Sequence, residues 1–429
     1  MIKSIKFAVF FALFFVLSTF LAFFLKNDFN KYSRLVMQDF YEQKNIDYLF
    51  CGASHVSHGI IPEILSKKIN KNVFCAGTSA QKLSGTYYII KEAINLYKLK
   101  CIFVDLDFEM AIGENIHFFN KEPGKNIYII SSYLKNPIIK TEYLLSATSP
   151  KYYLNSFFPL GIYKDIEPNP QTIATNIKTK IFTKDYYNYK YNETDFIYLR
   201  GGAIIKDEAI KNGTFYDFEE NISKIQDINK EWLYYLNKII SICKKNNIEL
   251  VFYSAPMPDF YLNSSGNYNF YSCFVNNYLK ENGYAFFDFN LCRQKYLKLE
   301  DSDFYDNNHL NNNGMKKFTD AFFQFITKAK NQKEMFFSTY KEKLEIQQPC
   351  IYGILLKKLD ESTINIVPVM NFNNFQQVKF NIYRIDNEDD EILYKFSDGN
   401  KIIIPQDSKS IRIVSIYNSA PQTDCIIEL

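Results

Sequence analysis

Phe7 to Leu25 is an uncharged, almost wholly apolar run of 19 residues. As a helix rising about 1.5 Å per residue it reaches roughly 28 Å, close to the hydrocarbon thickness of a bilayer. It can cross a membrane once. Lys3, Lys6 and the amino terminus precede it and favour a cytoplasmic N-terminus, while Lys26, Lys31 and Arg34 beyond it weaken that asymmetry. The run exceeds a usual signal-peptide core and no small-x-small cleavage site follows, so residues 1–28 read as an uncleaved anchor. No second run of this length follows. The chain from about residue 30 is therefore expected on the extracytoplasmic side of a single-pass membrane protein.

Residues 29–44 form a helical linker, and beyond it the texture alternates. Tyr48-Leu-Phe-Cys51 is a short buried-strand run, Gly52-Ala53 is a tight exit, and His55 to about Lys68 can form a helix. Lys71 to Gly77 reads as a second strand. Gly85 to Leu99 carries Tyr88, Ile89, Ala93, Ile94 and Leu96 at helical spacing, and Cys101 to Asp105 is a third strand. Strand, helix, strand, helix, strand predicts a parallel sheet covered on both faces. A Tyr-, Lys- and Asn-rich stretch, residues 113–220, interrupts the pattern as an insertion: either a lid facing substrate or a surface elaboration. A helix over about 221–246, a strand at Ile248 to Ser254, a helix to about Asn282, a strand at Tyr284 to Phe289 and a last helix from Gly314 complete the pattern. The expected fold is α/β, a flavodoxin-like three-layer domain with a five-stranded parallel sheet over residues 45–331.

Residues 332–348 are charged, helix-permissive and read as a linker. From 349 to 429 seven short runs, Ile351 to Leu356, Thr363 to Val369, Val378 to Tyr383, Ile392 to Phe396, Lys401 to Ile404, Ile411 to Ile416 and Cys425 to Glu428, are separated by Asn, Asp, Gly and Pro turns. They predict a C-terminal β-sandwich.

The near-balance of 50 Lys and Arg against 47 Asp and Glu gives no sign of a nucleic-acid partner. Eight cysteines show no Cys-x-x-Cys or other metal-ligand spacing, and Cys51, Cys75 and Cys101 fall inside core strands.

Ser54, at the exit of the first strand, fits two roles. A serine there is a helix cap, or it is a nucleophile at the carboxyl edge of a sheet. Asp306 and His309 favour the second. Three residues apart on the approach to the last helix, they can meet on one side of a turn, where the carboxylate accepts the imidazole Nδ1 proton and leaves Nε2 as a general base. They follow the last strand of the sheet whose first strand ends in Ser54, and loops at one sheet edge converge.

Gly52-Ala-Ser54-His, Phe74-Cys-Ala-Gly77-Thr-Ser and Asp306-x-x-His309-Leu-Asn together resemble the SGNH or GDSL-like hydrolases, in particular membrane-anchored extracytoplasmic members related to cell-envelope acyl esterases and O-acyltransferases. The resemblance covers about residues 45–330, apart from the insertion. It implies Ser54 as nucleophile, His309 as base and Asp306 as its orienter, with the backbone amides of Ser54 and Gly77 in the oxyanion hole and no cofactor. Two departures stand out. Ala53 occupies the place of the family's Asp, and Val104-Asp-Leu-Asp-Phe-Glu109 lacks the expected third-block Asn, for which Gln81, Asn115 or a backbone amide would have to substitute.

The function this implies is a bacterial serine esterase or O-acyltransferase acting on acyl, including acetyl, groups of a cell-envelope polysaccharide or glycan. The alternative is a non-catalytic envelope assembly or glycan-binding protein on the same scaffold. Further candidates are His55 and His58 as a His-x-x-His metal pair or as site lining, and Asp105, Asp107 and Glu109 as cation or sugar ligands or as solvated strand-end charges. His117 reads as a surface or packing residue, and the tyrosines between Phe182 and Tyr198 as sugar-stacking groups or a product of composition.

Overall fold

Strands buried on both faces must be short and apolar throughout, and the first three strands are. The computed structural model describes residues 2–26, 28, 31–112, 125–157, 169–188, 196–209, 227–264, 268–306, 308–328, 332–360, 362–371, 377–386, 389–397, 401–405 and 408–428. In it β1 (Tyr48–Gly52), β2 (Val73–Gly77) and β3 (Cys101–Asp105) are parallel, with Tyr48 opposite both Val73 and Cys101. All ten residues of β2 and β3 are buried. Phe50 stacks on Phe103 with ring centroids 4.5 Å apart. Fully burying such a side chain stabilises the fold by about 1.5–3 kcal/mol.

A hairpin, β4 (Ile197–Leu199) and β5 (Ala203–Ile205), lies within the insertion and has no counterpart in the sequence reading. Its turn needs glycine: Gly201 and Gly202 have φ of 99° and 96°, and a Cβ on Gly202 would stand 1.9 Å from the Cys75 carbonyl oxygen. Cys75 N–H donates to the Gly201 carbonyl at 2.7 Å. The turn therefore covers β2, which is an edge strand.

With β6 (Glu249–Ser254) and β7 (Phe286–Asp288) the parallel sheet has five strands in the order β2-β1-β3-β6-β7. The molecule is thus mixed α/β with a five-stranded parallel sheet, a C-terminal antiparallel region and an N-terminal apolar helix.

The chain divides into two compact units, residues 1–206 with 228–253, and residues 207–227 with 254–429. In the first, helix Tyr32–Glu42 within the expected linker is packed: Leu35, Val36, Met37 and Phe40 are fully buried, and Phe40 lies 5.7 Å from Phe74. Helix Leu83–Leu96 buries Tyr88, Ile89 and Ala93, as its spacing predicts, and Ile90 as well, while Ile94 is half-buried and Leu96 exposed. Helix Lys230–Lys245 starts at Asn229, whose side chain accepts from the amides of Glu231 and Trp232. The start expected at 221 lies outside the described residues.

In the second unit the C-terminal strands are β8 (Ile351–Lys358), β9 (Thr363–Met370), β10 (Val378–Asp386), β11 (Asp389–Ser397), β12 (Lys401–Ile403), β13 (Ser410–Tyr417) and β14 (Ala420–Glu428). All seven expected strands are present. They form an antiparallel four-stranded sheet, β11-β10-β13-β14, and a three-stranded one, β12-β9-β8, whose inward residues share one apolar cluster around Ile354, Ile366, Phe380 and Ile413. The segment 332–348 is docked rather than free. Met335 and Tyr340 are buried, Phe336 lies 5.2 Å from Phe289, and Lys343 Nζ donates to the Asn290 carbonyl at 2.9 Å. Its few apolar side chains decide its place, although its charges suggested a solvated linker.

Candidate functional site

Where β1 ends, two glycines let three backbones approach. A Cβ on Gly52 would lie 2.8 Å from Asp105 Cβ, and one on Gly77 would lie 2.7 Å from the Ala53 carbonyl and 2.8 Å from the Ser57 amide nitrogen. A side chain at either position forces the turn apart. Helix Ser54–Ser57 starts in this space, and its cap residue is Ala53, with φ −75° and ψ −159°. Ser54 is the first helical residue, so the cap role considered for it falls to a residue with no capping side chain. In the run from Leu49 to Pro62, Ser54 alone is not buried. The helix expected to run on to Lys68 ends at Ser57, and its cap His58 already has φ −102° and ψ 19°. A second helix, Pro62–Ile69, then begins with the proline at its first turn.

The residue after Ser54 is fixed in place. His55 Nδ1 donates to Asp107 Oδ2 at 2.7 Å, and both side chains are at most 5% exposed. Asp107 also caps helix Phe108–Ala111 by accepting from the amides of Glu109 and Met110. Burial alone lowers the affinity of His55 for a proton, but the carboxylate of Asp107, with Asp105 and Glu109 near it, raises its pKa to about 10. Burial raises Asp107, and the His55 charge outweighs it and holds the carboxyl below its ordinary range. The pair is an imidazolium carboxylate that ties the Ser54 turn to the exit of β3. Asp105, expected among solvated strand-end charges, is 2% exposed, and Asp107 is 6% exposed. The convergence of β1 and β3, adjacent in the sheet, accounts for this burial.

His55, Asp105 and Asp107 each offer a ligand atom within 4.8 Å of the others, and are the described residues that could hold a divalent cation. His58 is not part of this group. It packs edge-on against Tyr32 and Phe196, at 5.9 and 6.0 Å between ring centroids, so the His-x-x-His pair is split between two environments.

A second Asp–His pair lies in the second unit. His309 Nδ1 is 2.8 Å from Asp306 Oδ2 and 3.0 Å from Oδ1, and the Asp306 carboxylate also accepts from the amides of Asn308 and His309. Burial raises Asp306, and the hydrogen bonds and charge of His309 with those amides prevail, so its pKa is lowered. The Tyr305 ring stacks on the imidazole at 5.5 Å with 5° between planes. Anchors flank the loop on both sides. Asp303, fully buried, accepts from Lys317 at 2.7 Å and Asn313 at 2.6 Å; Asn311 caps helix Asn312–Thr327; and a Cβ on Gly314 would stand 2.2 Å from the Asp303 carbonyl. With Nδ1–H bound to Asp306, Nε2 is the ring atom that accepts a proton. Side-chain exposures of 17% for His309 and 41% for Asp306 leave this pair in contact with solvent.

Gln81, a candidate oxyanion donor, is 2% exposed; its Oε1 accepts from Thr78 at 2.9 Å and its Nε2 donates to Thr86 at 2.9 Å. Its carboxamide is committed within its own turn. Asn115, His117, Tyr189 and Tyr191 lie outside the described residues. Tyr186 donates its hydroxyl to Asp28 and so serves an internal bond, while Tyr187 is 49% exposed. The His55–Asp107 pair is the feature the sequence reading missed. The adjacency of β1 and β3 was the signal that pointed to it.

A protein-family model that carries no functional description matches residues 179–331, a span that contains Asp306 and His309. No curated protein matches the chain.

Proposed function

We propose that the chain is a membrane-anchored serine esterase or O-acyltransferase that acts outside the cytoplasm on acyl groups of an envelope polysaccharide or glycan. The observation that carries this reading is the accessible Ser54 in an otherwise buried run, together with an Asp306-bound His309 in a braced, solvent-contacting loop. In the proposed reaction Ser54 Oγ attacks the ester carbonyl and His309 Nε2 takes its proton. The proton then passes to the leaving alcohol, and water or a sugar hydroxyl resolves the acyl-enzyme. Asp306 fixes the tautomer. The amides of Ser54 and Gly77 are the proposed oxyanion donors, and the commitment of Gln81 leaves Asn115 or a further backbone amide to stand in for the family's Asn. The test is turnover of a small aryl acetate by the full chain and by Ser54→Ala; equal turnover in the two rules the mechanism out.

The second reading is a glycan-binding or assembly protein on a non-catalytic scaffold. It is favoured by the exit of β3, which presents the buried carboxylates of Asp105 and Asp107 where the resemblance calls for an Asn donor. Tight binding of an acylated glycan with no turnover, unchanged by Ser54→Ala, would favour it.

A further inference from the structure

A helix that ends at a membrane surface leaves its last carbonyls without intrahelical partners, and bare carbonyls at that depth are costly. Here the segment 170–187 of the insertion supplies the partners. Asn176 Nδ2 donates to the Phe24 carbonyl at 2.8 Å, and Lys180 Nζ donates to the carbonyls of Phe23 and Lys26 at 2.7 and 2.8 Å. Lys180 is 4% exposed and places its charge at the negative end of the helix dipole. The same corner is braced by Asp28, which is bound by Lys26 at 2.8 Å and by the hydroxyls of Tyr133 and Tyr186, while Arg34 donates to the Asp28 carbonyl. Two cations, Lys26 and Lys180, pair with the Asp28 carboxylate, and Lys178 and Lys184 lie exposed on the adjoining turn, against one acid, Asp185.

The two residues that follow Lys180 are apolar and face outward: Ile181 is 45% and Phe182 77% exposed. They belong to a π-helical turn, Lys178–Phe182, whose own lysine is bonded to the last turn of the apolar helix. That helix, Lys3–Leu25, has a mean hydropathy of 2.6, and at about 1.5 Å per residue is about 35 Å long, enough to bring its final turn to the bilayer boundary. Solvent-exposed Ile and Phe beside a cationic cluster at such a point match an interfacial anchor, apolar groups in the headgroup–acyl boundary with lysines toward anionic headgroups.

We propose that the turn 178–182 is a second membrane contact, which seats Ile181 and Phe182 in the same bilayer that residues 3–25 cross and presents the exposed Lys178 and Lys184 to anionic lipid. Lys180 locks that turn to the end of the span. The body of the first unit is thereby held at a fixed height and orientation over the lipid surface rather than tethered on a loose stalk. The inference rests on the reading of residues 3–25 as a membrane span and is independent of the proposed chemistry.

The test uses the full chain in nanodiscs of phosphatidylcholine with or without phosphatidylglycerol. Trp232 is buried and its indole N–H makes no hydrogen bond, so Trp232→Phe provides a silent background. In that background Phe182→Trp is expected to be blue-shifted and to lose about half its emission when the lipids are brominated, as an indole about 5–10 Å into the boundary requires, with stronger quenching in anionic discs. Phe14→Trp reports on the span itself. Lys180→Met is expected to reduce quenching at position 182 and leave that at position 14 unchanged. Water-like, unquenched emission at 182 with quenching at 14 overturns the inference, and so does quenching at 182 that ignores Lys180→Met. Equal quenching in neutral and anionic discs overturns the assignment to anionic lipid. No quenching at 14 instead refutes the span on which the inference rests.

Discussion

The described residues contain two Asp–His pairs with nearly equal bonds, 2.7 Å for His55–Asp107 and 2.8 Å for His309–Asp306, in opposite surroundings. The first is sealed in the sheet edge beside Asp105, where the carboxylates hold a proton on the imidazole up to about pH 10. A base must give up that proton near neutrality, and His55 does not. The second pair is braced by its loop yet touches solvent, and Asp306 fixes the ring through Nδ1. The charges around the ring, not residue identity, separate a structural ion pair from a candidate base: Asp107, Asp105 and Glu109 overcome the burial that on its own would strip the proton from His55.

Removing one carboxylate from each pair should divide the two roles. Asp306→Asn is expected to lower kcat for an aryl acetate by roughly 10³–10⁴-fold, since asparagine holds the wrong tautomer. Its effect on stability should stay within about 1 kcal/mol because the pair is solvent-exposed. Asp107→Asn should behave in the reverse sense, with a loss on the order of 3–5 kcal/mol in denaturant titration as His55 is left buried without its counter-charge. If Asp306→Asn unfolds the chain while Asp107→Asn leaves it stable, the assignment of roles is inverted.

Gly77→Ala should come next. Its Cβ would stand 2.7 Å from the Ala53 carbonyl, so an expected loss of about 1–3 kcal/mol should be accompanied by loss of Ser54 reactivity. A reactive variant of wild-type stability would show that the close approach is not needed to shape the Ser54 turn.

The pH dependence separates the pairs with opposite signs. The folded pKa of His55, about 10, lies above the about 6.5 of an unfolded histidine, so its contribution is full below about pH 6.5 and fades as pH rises toward 10. Asp306 is lowered in the fold, so its contribution is present above about pH 3.9 and is lost as pH falls through its folded value. Melting curves from pH 6 to 10 should therefore slope downward in wild type and lose most of that slope in His55→Gln.

Most of the sheet was legible in the sequence because buried parallel strands are short unbroken apolar runs, and Tyr48–Gly52, Val73–Gly77 and Cys101–Asp105 each end at a small or acidic residue. The seven C-terminal strands were legible from their turns. His309 and Asp306 sit three residues apart, within the reach of a local pattern. His55 and Asp107 are 52 residues apart and meet only because β1 and β3 are neighbours, so no window along the chain shows the pair. The β4–β5 hairpin was hidden for a related reason. Its Gly-Gly turn is shaped by the edge of β2, a distant partner.

The smallest expected effect concerns the cysteines. All eight are free thiols, and Cys273 and Cys350 are half-buried while the rest are buried. Brief alkylation of the native chain should modify those two first, and the other six only after denaturation. Early labelling of Cys51 or Cys75 would mean that the floor beneath Ser54 is open.

Ser54 itself is best tested by a fluorophosphonate probe on the full chain in detergent, with the adduct located by mass spectrometry. A single adduct on Ser54, absent in Ser54→Ala, much reduced in His309→Gln and retained in the Trp232→Phe control, is the predicted result. No adduct on the wild-type chain, or one that persists undiminished in Ser54→Ala, would contradict it.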